Sequence, residues 1–376
     1  MKKIFLTLLV ALLGYTLSYY TVGKAKGYSF FSFNLNIDIG QFLEKLQQNN
    51  NSGFDKNLTD GILFLNNKDY ENAKYAFDDA VNADPYNPTA LYYKGLAYYF
   101  SSDFITSVSA LNDALSYNPD LADSAYFYRG IGNYFNGSYD YASEDLYNYL
   151  SNKPSDTTAL LYLAKSYFEN DKTQQAIDII SQMITISPLS TNALFDRGRY
   201  YIVIEDFKSA INDYRSYFEL IKSDYIGYFN CGLAYEYQEN IDSAKYFYQK
   251  SIKAEPNYAR SLCGLGDIYR KTKNYPEALQ YYNKATETDA TYGWAYAGRG
   301  YLHMDQNNYN EAITDLTRAL ENLDNNNVRY NLAVCYDKLN MKTEALYAYD
   351  QFINKVTSEH EFYSMAVERV KQLNNQ

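Results

Sequence analysis

The residue types that most readily act as bases, nucleophiles or soft metal ligands are few in this chain: two histidines, His303 and His360, and three cysteines, Cys231, Cys263 and Cys335. Their spacing does not assemble a site. The nearest two cysteines are 32 residues apart, which fits neither a zinc ligand cluster nor a dense disulfide framework. Gly264-Leu265-Gly266 lacks the third glycine of a dinucleotide loop and follows no strand pattern, so it reads as a pair of helix-packing positions. There is no glycine-rich loop ending in Lys-Ser or Lys-Thr to cradle a phosphate. Paired carboxylates such as Asp78 with Asp79, or Glu236 with Glu239, have the spacing of ordinary helix surface. No catalytic residue, metal or cofactor is therefore expected. His303 is expected as a packed core imidazole, His360 as a solvated one, and the cysteines as small buried hydrophobes.

What must be positioned, then, is a surface. The 376 residues carry a net charge of −11, which disfavours attraction to a polyanion and argues against a nucleic-acid binder. With 47% hydrophobic residues the chain can bury a large core, and 45 of its 66 aromatic side chains are tyrosine. At the start, Lys2 and Lys3 precede the apolar run Ile4 to Leu13, the pattern of a secretory signal. Residues 1–26 are read as a signal peptide, cleavable after Gly23-Lys24-Ala25, or as a retained membrane anchor. Either would place the body outside the cytoplasm, in the periplasm or cell envelope if the source is bacterial. Residues 27–53 read as a linker with one short amphipathic helix around Ile39 to Leu46.

The body is periodic. A small residue recurs at Gly61, Gly95, Gly130, Ala164, Gly198, Gly232, Gly266, Gly300 and Ala333, and a second series follows twelve residues behind it, from Ala73 and Ser107 to Ala312 and Ala345. Three residues after the first series stands a large side chain in seven of nine units, among them Phe64, Tyr98 and Tyr167. Pro85, Pro119, Pro154, Pro188 and Pro256 mark unit ends. Counted from Phe54, these residues hold unit positions 8, 20, 11 and 32 of a 34-residue repeat, and the sequence resembles the tetratricopeptide repeat over nine units, residues 54–359. The resemblance implies an all-α fold, a right-handed superhelical solenoid of helix-turn-helix units. Position 27, normally alanine in that family, departs from it at Tyr149, Met183, Tyr217 and Phe352. Because one unit cannot bury its own apolar face, the last needs a lid. Residues 359–376 are expected to supply a capping helix and tail, opened by a capping box at Ser358-Glu359-His360-Glu361.

Comparison among units gives one contact. Arginine occupies position 7 at Arg129, Arg197 and Arg299, and only in those units is position 23 acidic: Asp145, Asp213 and Asp315. A structural ion pair between the two helices of each unit is expected. In the resembling family, positions 2, 5, 9, 12 and 13 of the first helices line a concave groove. Carried onto this chain, they give an aromatic zone with Tyr92, Tyr99, Phe127 and Tyr134, and a more basic zone with Lys165, Phe168, Arg199, Phe229, Arg260 and Arg270. The resemblance implies a non-enzymatic scaffold binding a protein partner, as an extended peptide or a partner helix, in that groove. A self-associating component of cell-envelope assembly is the alternative. The carboxylate clamp of chaperone-tail binders is not reproduced, since Phe195, Arg199, Asn230, Arg260 and Gly264 stand at its positions, and an asparagine ladder at position 6 is absent.

Overall fold

A computed structural model describes residues 53–375, all helical apart from turns and short connections. The expected signal or anchor and the linker helix near Ile39 to Leu46 lie outside the described residues. Nine helical hairpins follow one another: α1 Gly53–Asn66 with α2 Tyr70–Ala83, α3 Pro88–Phe100 with α4 Phe104–Tyr117, α5 Ala122–Phe135 with α6 Tyr139–Asn152, and α7 Thr157–Glu169 with α8 Thr173–Ile186. Next come α9 Thr191–Val203 with α10 Phe207–Leu220, α11 Tyr225–Tyr237 with α12 Ile241–Ala254, and α13 Ala259–Lys271 with α14 Tyr275–Thr288. The last two are α15 Gly293–Asp305 with α16 Tyr309–Leu320 and α17 Asn326–Lys338 with α18 Lys342–Ile353, before a final helix α19 Tyr363–Asn374. The chain divides into two compact units, one ending at Tyr200 and the other running from Tyr201 to the end, and each is a stack of such hairpins.

The glycines at position 8 set how closely the helices of a hairpin approach. A Cβ on Gly61 would meet the Phe77 ring at 2.6 Å, on Gly266 the Tyr282 ring at 2.6 Å, and on Gly300 the Leu316 side chain at 2.8 Å. Each of those large residues sits at position 24 and is fully buried. The position 20 residues opposite are also sealed, Ala73, Ser107, Ala142 and Ala278 among them. The departures at position 27 are accommodated rather than disruptive. The Tyr149 and Tyr217 hydroxyls donate to Asp156 at 2.9 Å and Asp224 at 2.8 Å, the residues that cap the next first helix.

Every hairpin turns the same way. Lys68, Ser102, Gly137, Asp171, Glu205, Glu239, Lys273, Asn307 and Asn340, all at position 15, have φ between +56° and +75°. The next N–H reaches back to the carbonyl of position 11, as in Asp69 to Phe64 and Asn274 to Tyr269 at 2.9 and 2.8 Å, closing a Schellman turn. Seven of the nine residues that follow are Asp, Asn or Ser, suited to capping the second helix, and Asp69, Asp103, Asp206 and Asn240 each accept a backbone N–H there.

The lid forms, but later than the sequence suggests. Helix α19 begins at Tyr363, its N-cap Phe362 has no side-chain cap, and the box at Ser358 to Glu361 is not used. Burial of two rings decides this. Phe362 stacks on Tyr330 at 4.4 Å and His360 meets Phe352 edge-on at 5.0 Å, so His360 is half-buried rather than solvated. Its Nδ1 accepts the Phe362 N–H at 3.3 Å, and burial holds its pKa below the usual histidine value. Ala366 and Leu373 then seal the last hairpin, and Arg369 grips Asp337 through two bonds of 2.7 and 2.8 Å.

Candidate interaction surface

Consecutive first helices pack on one another: α1 on α3, α3 on α5 and α5 on α7 in the first unit, and α11 on α13 and α13 on α15 in the second. Among the described residues, no two consecutive second helices pack as closely, so in each unit the first helices hold the inner face. Which side chains that face offers depends on position within the repeat.

In the first unit the face is aromatic toward the N-terminal end. Tyr99 on α3 meets Tyr128 on α5 at 5.1 Å, and Tyr134 on α5 meets Tyr162 on α7 at 5.3 Å, both edge to face. Phe135 is exposed and stands 5.7 Å from Tyr162. Tyr92, Tyr99 and Tyr134 are half-buried, and desolvation raises all three phenol pKa values. Phe127 is instead 4% exposed, with the rings of Tyr128 and of Tyr149 on the second helix of its own hairpin each 5.1 Å away. Phe229 in the second unit is buried the same way against Tyr248 and Tyr258. These two of the expected lining residues belong to the core.

The expected cations are engaged within the protein. Lys165 Nζ lies 3.6 Å and Arg199 Nη1 3.3 Å from Asp196, and the buried Arg199 also covers Phe168, which stacks on Tyr200 at 4.3 Å. In the second unit Arg270 pairs with Asp305 at 3.0 Å over the Tyr301 ring, Lys271 pairs with Glu236 at 2.6 Å, and Arg260 lies over Tyr292. At Lys165, Arg199, Arg270 and Lys271 a ligand carboxylate would have to displace a resident one.

Sequence reasoning missed two fully buried tyrosines of second helices that pack between consecutive first helices. Tyr248 on α12 passes between Gly232 and Gly264, where a Cβ on either would approach its ring to 2.8 Å, and its hydroxyl donates to Glu236 at 2.6 Å. Tyr282 on α14 passes between Gly266 and Gly298 and donates to Asp267 at 2.6 Å. The signal was present as Gly at position 6 following Tyr at position 24 of the preceding unit; it accounts for Gly264, while Gly266 at position 8 makes room for Tyr282 of its own hairpin. Burial, with the nearby Glu236 carboxylate, leaves the Asp267 carboxyl pushed up to about 6.

The inter-helix pairs are bidentate. Arg129 donates to Asp145 at 2.8 and 2.6 Å, and Arg299 to Asp315 at 2.8 and 2.7 Å. Each also reaches position 25 of the preceding hairpin, Arg129 to Asn112 at 2.9 Å and Arg299 to Asn283 at 2.7 Å, as Arg197 does to Ser181 at 3.0 Å. Arg197 and Asp213, the remaining expected pair, belong to different units. His303 is packed as expected, its Nε2 3.6 Å from Asp315. Cys231, Cys263 and Cys335 are free thiols and buried, and burial raises their pKa values. No group of three potential metal ligands occurs among the described residues.

Comparison with known proteins agrees with the geometry. The tetratricopeptide repeat family matches residues 158–190, 226–258, 259–292 and 298–355, and the third of these coincides with the unit beginning at Ala259. Two curated proteins of Dictyostelium discoideum are similar: a DnaJ homolog subfamily C member 7 homolog, 25% identical over 50% of this chain and 36% of its own length, and a DnaJ homolog subfamily C member 3 homolog, 23% identical over 36% and 30%. The chain thus spans about a third of the relatives it matches. Among solved structures, a tetratricopeptide repeat protein from Parabacteroides merdae is 18% identical with a TM-score of 0.56, covering 66% of this chain and 98% of its own. The APC/C hetero-tetramer Cut9-Hcn1 is 17% identical with a TM-score of 0.55, covering 85% and 62%.

Proposed function

The chain is a tetratricopeptide repeat protein, and from that premise we propose that it is a non-enzymatic scaffold holding a protein partner, as an extended peptide or a helix, against the first-helix face. One observation carries the reading: the row of half-exposed rings at Tyr92, Tyr99 and Tyr134 on α3 and α5, continued by the exposed Phe135. Rings of this kind bury much area at little entropic cost and dominate binding hot spots. The cations offer less, because Lys165, Arg199, Lys271 and Arg270 already hold carboxylates. Titration of a partner captured with the full chain tests this. Tyr99→Ala with Tyr134→Ala should weaken binding about tenfold or more, whereas Arg270→Ala should change it little. The reverse order would move the site to the second unit.

A second reading rests on the outer side. Tyr75, Tyr141, Tyr147 and Tyr347 project from second helices and are each more than 60% exposed. Self-association through them would make the protein a component of envelope assembly, and light scattering of the purified chain decides it, a monomer counting against. We propose in either case that residues 1–26 direct export or hold the chain at a membrane. Among the described residues no helix is long and apolar enough to cross one. Sequencing the mature N-terminus separates cleavage from retention.

A further inference from the structure

Lys165, Arg199, Arg270 and Lys271 on first helices are matched by resident carboxylates, but a set of cations on the second-helix side of the second unit is not. Helices α10 and α12 both pack on α11, and Tyr228 and Tyr235 of α11 floor the groove between them. Phe218 of α10 meets Tyr228 at 4.6 Å, and Phe247 of α12 stacks on Tyr235 at 5.4 Å. Two cations stand on this aromatic floor. Arg215 reaches in from α10, its Nη2 donating to the Tyr235 hydroxyl at 2.6 Å, and Lys250 of α12 lies 5.3 Å over Tyr228 and 4.8 Å from the ring of the exposed Tyr246. Lys253 is exposed one turn further on, and Lys245 covers Tyr269 at 4.5 Å on the far flank of α12. Among the described residues, none of these four cations forms an ion pair. Glu219 and Asp242, on the same two helices, lie four and three residues from Arg215 and Lys245 without bridging them. A ring holds a cation in place without neutralising it.

We propose that the groove between α10 and α12 is a docking site for a short acidic segment of a partner protein, whose carboxylates meet Arg215 and Lys250 while Lys253 extends the contact. A carboxylate entering here displaces no resident one, in contrast to the first-helix face, and gains charge-assisted hydrogen bonds from both cations. The dimensions agree. Tyr228 and Tyr235, beneath Lys250 and Arg215, are seven residues apart on α11, about 10 Å, and three residues of extended chain cover about the same distance. The exposed ring of Tyr246 gives such a segment an apolar surface to lie along. The net charge of −11 repels a long polyanion. Interactions between exposed charges are largely screened beyond about 8 Å at physiological salt, so a segment confined to the groove meets these cations, whereas a nucleic acid or an anionic membrane spreads over the acidic remainder. The site is separate from the first-helix face and does not rest on partner binding there.

The test titrates the full chain into a ten-glutamate peptide carrying a neutral dye, read by fluorescence anisotropy at two salt concentrations. Zero-length carbodiimide coupling then maps where the peptide's carboxylates lie. The expected result is binding that weakens as salt rises, with amides formed to Lys245, Lys250 or Lys253. Arg215→Gln with Lys250→Gln should weaken it about tenfold or more. Lys245→Gln with Lys250→Gln, which leaves the Arg215 to Tyr235 bond in place, should weaken it in the same direction with unchanged helical circular dichroism. Lys342→Gln, on α18, should leave it unaltered. Absence of binding, unchanged affinity in both double variants, an equal loss in Lys342→Gln, or amides confined to lysines outside α12 would overturn the assignment. So would tighter binding of a thymidine oligonucleotide or of phosphatidylglycerol vesicles than of the peptide. The partner titration at Tyr99 and Tyr134 uses other residues, so the two readings fail separately.

Discussion

At the scale of single residues, the arginine at position 7 ties three helices. Arg299 holds Asp315 in its own hairpin and Asn283 in the one before, with Asp315 only 5% exposed. Removing the guanidinium leaves that buried carboxylate without its two hydrogen bonds and with only His303, 3.6 Å away, beside it, so Arg299→Ala is expected to cost about 3 kcal/mol in chemical denaturation. Replacing both partners by leucine should recover much of the loss, since two desolvated charges disappear together. Asp267 gives the opposite kind of effect. Burial and the Glu236 carboxylate raise its pKa from 3.8 to about 6. The folded state therefore holds a proton that the unfolded chain releases, and the associated stability is present below pH 3.8 and lost as the pH rises through about 6. Asp267→Asn keeps an acceptor for the Tyr282 hydroxyl and should flatten the melting temperature between those two values; an unchanged slope would mean that another group titrates there.

Elements are joined by turns whose backbone is more regular than their sequence. All nine hairpins place position 15 at positive φ, yet Gly137 is the only glycine among them. An L-residue in that conformation costs about 1–2 kcal/mol relative to glycine, partly offset by the greater freedom glycine loses on folding, about 0.5–1 kcal/mol. Lys273→Gly, at an exposed site, is therefore expected to stabilise by about 0.5 to 1 kcal/mol, and Gly137→Ala to destabilise by about 1 kcal/mol. Urea titration of both, with retained helicity, checks the pair; a loss in the lysine variant would show that its side chain contributes more than its backbone costs. The Schellman turn was hidden in the sequence because lysine, serine, aspartate, glutamate and asparagine all occupy its left-handed position. The helices around it were legible because glycine or alanine at position 8 and a large residue at position 24 meet inside a hairpin, and that steric requirement repeats.

For the molecule as a whole, stability in a stack is approximately a sum over hairpins and their interfaces, so damage at one end should remain local. The end is held by α19, with Arg369 on Asp337 and His360 against Phe352. Arg369→Ala should accelerate amide exchange in α17 and α18 while leaving α1 to α8 unchanged; uniform acceleration would refute local fraying. The sequence alone determined the repeat, the nine hairpins, the bidentate partners of Arg129 and Arg299 and the existence of a lid, because these rest on spacing and on contacts within one hairpin or between chain neighbours. Tertiary structure decided which candidate side chains are surface. Phe127 and Phe229 are core because second-helix rings of their own hairpins, Tyr149 and Tyr248, pack on them, whereas Tyr92 at the same position stays half-exposed. Arg270 is paired because Asp305 arrives from the next first helix, 35 residues on. Tyr248 and Tyr282 are sealed between first helices because glycines from two adjacent hairpins leave a passage for each ring. For Arg270 and the two tyrosines the deciding atom comes from a neighbouring hairpin, and its position depends on how hairpins pack, which spacing within a single repeat does not encode.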